Sequence, residues 1–148
     1  MRNLIRAAAA CGIALVMLVG CGRSDEAEKS IDDISGSVHN VQGVLVDEKA
    51  AVKAGDARAE VETTQAVAAS ELDKLRRFAE RAPADTQDFA DAALEWTEAV
   101  EEYRSALLGG SDSDVAALIG VRVNDKARAL NEAAEELDVD NWKPVHTF

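Results

Sequence analysis

An all-α fold, an antiparallel up-down-up-down bundle of four helices, is predicted by three observations. Apolar residues recur at spacings of three and four from about residue 25 to residue 137, and no stretch alternates with period two. Prolines are confined to Pro83 and Pro144, and aromatic residues make up 4% of the chain. Helix-stop and helix-start signals divide the periodic region into four at Gly55-Asp56, Pro83 and Gly109-Gly110. Connections this short make sequential helices pack antiparallel.

The first helix is predicted from about Asp25 to Ala54. Its stripe of Ile31, Ile34, Val38, Val41, Leu45 and Val52 has spacings of 3, 4, 3, 4 and 7, a heptad seam with one gap at Glu48. Gly36 and Gly43 lie inside this helix, where each costs about 1 kcal/mol relative to alanine. Either a neighbouring helix approaches closely there or the helix is locally soft. Gly55 suits a helix C-cap and Asp56 an N-cap. The second helix, from about Ala57 to Arg81, has the stripe Val61, Ala68, Leu72, Leu75 and Ala79, flanked by Val67 and Phe78. Lys74, Arg76, Arg77 and Arg81 crowd its end. They complement the negative end of the helix dipole, or they form a basic landing patch for lipid headgroups or an acidic partner.

Pro83 stops the second helix, and Asp85 or Thr86 can cap the third, with Asp88 in its first turn. Phe89, Ala93, Trp96, Val100, Tyr103 and Leu107 follow at spacings of 4, 3, 4, 3 and 4, the cleanest stripe in the chain. Trp96 and Tyr103 are read as core, with a ligand slot between helices as the alternative. Ser111 or Ser113 caps the fourth helix, whose apolar face is Val115, Leu118, Ile119, Val123, Ala127, Leu130, Ala134 and Leu137. Residues 138–148 form an irregular tail containing Trp142, Val145 and Phe148, which no helical period demands. The tail either folds over one end of the bundle or binds a partner.

The N-terminal segment has a different character. Arg2 and Arg6 precede a run of 13 largely apolar residues, Ala7 to Val19, which is shorter than the roughly 20 that span a bilayer. A basic start, a short apolar run and a small residue at Gly20 are the layout of a secretory signal. The tetrapeptide Leu18-Val19-Gly20-Cys21 resembles the lipobox of bacterial lipoproteins. The resemblance covers only the first 21 residues. It implies cleavage between Gly20 and Cys21, diacylglyceryl attachment to the Cys21 sulfur, and often acylation of the new amine. Residues 1–20 would then be a signal peptide, 21–24 a lipidated cysteine with a short tether, and 25–137 the bundle. Such a chain is anchored outside the cytoplasm. Gly22 after Cys21 resembles the pattern for transport to the outer membrane of a two-membrane cell. In a one-membrane cell the protein stays on the outer face of the cytoplasmic membrane.

The full chain carries 16 basic and 28 acidic side chains, a net charge of −12. Without Arg2 and Arg6 it carries 14 basic side chains and a net charge of −14. That charge argues against nucleic acid and against adhesion to anionic lipid surfaces at large. Processing also removes Cys11, so no disulfide can form within the chain. Ala-rich seams bury little area per residue, so modest stability is expected.

Signals for chemistry are thin. His39 is preceded three residues earlier by Gly36 and His146 by Lys143, so the Glu-x-x-His pairs of di-iron bundles are missing from the sequence. No c-type haem motif occurs, and no methionine follows Met17. Ser111-Asp112-Ser113-Asp114 and Asp138-Val139-Asp140-Asn141 lack the glycine and the distant bidentate glutamate of a calcium loop. The adjacent pairs Glu101-Glu102 and Glu135-Glu136 diverge by about 100° around a helix and do not converge on a site. No catalytic residue, metal or cofactor is assigned. The reading is a non-catalytic, lipid-tethered envelope lipoprotein that acts as a helical interaction or accessory module, with an envelope protein as its partner. Two alternatives stand beside it. One is a small-ligand-binding or stress-sensing bundle. The other, by class analogy, is a phage-encoded lipoprotein that excludes superinfection.

Overall fold

The computed structural model describes residues 23–54, 57–110 and 113–146. Four helices account for most of them: α1 Asp25–Ala54, α2 Ala57–Ala79, α3 Gln87–Gly109 and α4 Ser113–Glu136. The expected all-α bundle is present. α2 packs on α1, α3 on α2 and α4 on α3, and α1 also meets α3 across the bundle. The cross-helix pairs run in opposite senses. Arg76 late in α2 reaches Glu98 in the middle of α3 at 3.4 Å, whereas Arg104 late in α3 reaches Thr64 early in α2 at 2.9 Å. Likewise Glu102 pairs with Arg122 and Glu95 with Lys126, each at 2.6 Å, so α3 and α4 are antiparallel.

Local chemistry sets the helix ends. Ser24 caps α1: its Oγ accepts from Ala27 N–H at 3.1 Å, and Asp25, Glu26 and Glu28 place negative charge in the first turn. Ser24 is therefore part of the bundle rather than of a free tether. α2 stops two residues earlier than Arg81, at Ala79. The Gln87 side chain, from the start of α3, donates to the Ala79 carbonyl at 3.2 Å, which also accepts from Ala82 N–H at 3.4 Å. Thr86 takes the N-cap position of α3, but its hydroxyl donates backwards to Pro83 O at 3.1 Å instead of capping the helix. Gly110 ends α3 at φ 65°, where its N–H turns back to Ala106 and Leu107 carbonyls. Ser113 is the first residue of α4; Gly55, Asp56 and Ser111 lie outside the described residues.

The buried core follows the predicted stripes closely. Ile31, Ile34, Val38, Val41 and Leu45 of α1 join Leu75, Phe89, Ala93, Trp96, Val100, Val123, Ala127 and Leu130 in one cluster. Val61, Ala68 and Leu72 are buried as expected, whereas Val67 is exposed. Tyr103 and Leu107 are half-buried. The start of α4 departs from expectation. Val115, Leu118 and Val121 are 47%, 72% and 57% exposed, so the first two do not belong to the core. α4 packs on α3 alone among the helices, which leaves the outer side of its first turns uncovered.

Of the two readings of Gly36 and Gly43, the close approach of a neighbouring helix is corrected. Both are exposed, and a Cβ at either would meet nothing within 4 Å. No helix approaches there. Replacing both with alanine is expected to raise stability by about 1–2 kcal/mol in total, measured as a shift in the urea midpoint. An unchanged or lower midpoint would mean that the helix needs the glycines.

Candidate functional site: a groove filled by the tail

Among the described residues, no Cα of α1 lies within 8 Å of one on α4. A four-helix arrangement with first and last helices apart has a groove along one side, and the tail fills it. α4 ends in a Schellman turn: Val139 N–H bonds to Ala134 O and Asp138 N–H to Glu135 O, each at 3.0 Å. Asp138 holds the left-handed position of that motif at φ 50°, and Asn141 follows with φ 56°. These two residues turn the chain back into the groove.

From there Arg23, just before α1, together with α1 and α4, holds the tail largely by its main chain. Arg23 donates to Asp138 O at 3.2 Å, His39 Nε2 lies 3.1 Å from Lys143 O, and Gln42 Oε1 accepts from His146 N–H at 3.1 Å. Because a carbonyl can only accept, the His39 Nε2 carries the proton. Across the groove, the Asn131 carboxamide grips both main-chain polar groups of Val145, accepting from its N–H at 2.9 Å and donating to its O at 3.2 Å. Its Oδ1 also accepts from Trp142 Nε1 at 3.2 Å.

Two side chains fill the slot. Val145 is buried, and Trp142 lies edge-on to Phe89 at 5.4 Å and tilted against His39 at 5.2 Å. The tail therefore lies along the side of the bundle, between α1 and α4, not over its end. Beyond it the groove opens into a hollow of about 490 Å³ that includes Gly43, Val46 and Pro144.

The predicted tail residues Trp142 and Val145 thus come together here, while Phe148 lies outside the described residues. Gly20 and Cys21 lie outside them too. The predicted basic patch is only half available. Lys74 pairs with Glu71 at 2.7 Å and Arg76, itself exposed, with Glu98 at 3.4 Å, while Arg77 and Arg81 are exposed and form no ion pair among the described residues. His39 and His146 share the groove, but among the described residues no three His, Cys, Asp or Glu side chains are grouped to hold a metal ion. Among the described residues three buried polar atoms have no protein partner: Trp96 Nε1 in the core, Glu71 Oε2 on α2 and Ser35 Oγ on α1.

Sequence reasoning missed Arg23, Gln42 and Asn131. The one available signal was Asn131 itself, a poor helix former in the middle of a helix, where such a side chain needs a reason. None of the described helices is long and apolar enough to cross a membrane. The fold and its groove define a small helical bundle closed by its own C-terminal segment. No protein-family model, curated protein or solved structure matches the chain.

Proposed function

We propose that this chain is a membrane-tethered, non-catalytic lipoprotein of the bacterial envelope whose helical bundle serves as a protein-interaction or accessory module. The observation that carries this reading is the lipobox-like Leu18-Val19-Gly20-Cys21 standing directly before a folded domain. Arg23 and Ser24 already belong to the bundle, so Gly22 alone separates it from Cys21. A lipid on Cys21 would hold the α1 start, the α4 end and the tail turn at the membrane surface. The exposed row Val115, Leu118 and Val121 lies toward the opposite end of α4, about 22–32 Å from its last residue, facing away from the core. An apolar row held away from the membrane is suited to docking another protein. Arg77 and Arg81 share the membrane-proximal end with Glu80, Asp85 and Asp88, which weakens any attraction of that end to anionic lipid.

The test is cell fractionation of the wild-type chain and of Cys21→Ser exported behind a conventional cleavable signal in place of residues 1–20, so that no apolar leader remains on the variant. The wild type is expected in the membrane fraction and released only by detergent. Cys21→Ser is expected to leave it almost completely, because two acyl chains provide stable anchoring that the acidic bundle does not. Equal membrane association of both forms would overturn the tether.

A further inference from the structure

We propose that the tail is an exchangeable arm: the groove between α1 and α4 accepts residues 138–146 of a second copy of this chain. Three features carry this. First, the groove recognises the tail as an extended peptide. Asn131, His39, Gln42 and Arg23 all address main-chain atoms, and only Trp142 and Val145 insert side chains. Every one of these contacts is available to the identical segment of another molecule. Second, α1 and α4 do not close on each other, so an emptied groove remains open to receive an arm. Third, folding back onto the same molecule depends on a hinge of residues 137–141. There Asp138 and Asn141 take left-handed conformations that glycine adopts freely and that Asp and Asn adopt at a cost, though a smaller one than other L side chains. An arm that leaves its own helix in extended form needs neither. Short, strained hinges favour exchange of an identical element between protomers.

The hinge can be biased in both directions without changing a side chain that the groove holds; only the main-chain carbonyl of Asp138 meets it, through Arg23. In the chain from residue 21, with Cys21→Ser to remove any lipid, Asp138→Val with Asn141→Val disfavours the left-handed turn. Asp138→Gly with Asn141→Gly favours it. The valine pair is expected to run at twice the monomer mass in gel filtration with light scattering. Its Val145 amide should stay as protected from hydrogen exchange as in the wild type. The glycine pair is expected to be monomeric with the same protection. Adding Trp142→Ala to the valine pair should return it to a monomer with an unprotected tail. A monomeric valine pair overturns the proposal, whether its tail is protected or not, and so does a dimer with unprotected tails, which would associate through another face.

A second measurement leaves the hinge as it is. A groove-defective chain, Asn131→Ala, and an arm-defective chain, Trp142→Ala with Val145→Asp, are unfolded together in urea and refolded. One intact groove and one intact arm then remain between them, and a one-to-one heterodimer is expected. Two separate monomers would contradict arm exchange even if the valine pair fails to fold.

Discussion

Replacing Trp96 with alanine is expected to cost about 3–5 kcal/mol, because it removes the largest fully buried side chain from the centre of the cluster. Domains of this size have total stabilities of about 5–15 kcal/mol. The variant should therefore melt at least ~10 °C lower and unfold at markedly lower urea. Trp96→Phe separates packing from polarity. Phenylalanine fills much of the slot and removes the Nε1–H, which has no protein partner. A buried donor without a partner costs about 1–3 kcal/mol, so removing it offsets much of the lost volume. Trp96→Phe is expected within about 1 kcal/mol of the wild type. If phenylalanine is as damaging as alanine, the indole N–H is bonded and the account of the core is wrong.

The second large effect concerns Arg104, whose side chain is 2% exposed on the helix interface. Its guanidinium meets Glu101 at 2.6 Å on its own helix, and Thr64 Oγ1 at 2.9 Å and Val61 O at 3.4 Å on α2. This fork ties α3 to α2 at a point where a charge has been taken out of water. Lysine keeps the charge but is a single point with no fork, so it cannot serve both helices at once. Arg104→Lys is expected to cost about 2–3 kcal/mol through lost bonds to a charged group. Arg104→Met removes the charge and keeps most of the length. Glu101 is 21% exposed and can turn to water, and Thr64 Oγ1 can still donate to Val61 O at 3.4 Å. Arg104→Met is expected to cost less than Arg104→Lys, because the charge left on Glu101 reaches water and is not stranded in the interior. The informative result is the order in urea titrations: methionine above lysine. The reverse order would mean that the buried charge itself stabilises the bundle.

How far the sequence discloses this molecule depends on how local each feature is. The span of α1 was legible because a heptad seam follows a run of acidic residues that suits a helix start. The core stripe of α3 was legible for the same reason of period. Val115 and Leu118 misled because period reports that a residue could face a core, not whether another helix is there to form one. The groove was not legible at all. Asn131 meets Val145 and Trp142 across 14 and 11 residues, and His39 meets Lys143 across 104, so no local pattern announces them. The turn that makes those contacts possible rests on Asp138 and Asn141 rather than on the glycine that usually signals it.

The tethered-module account stands on the chemistry of Cys21. The most direct measurement is mass spectrometry of the N-terminal peptide of the protein extracted from its native membranes. The account predicts a chain that begins at Cys21 and carries a diacylglyceryl group on its sulfur. A chain that retains residues 1–20, or one whose Cys21 sulfur carries no lipid, would contradict it.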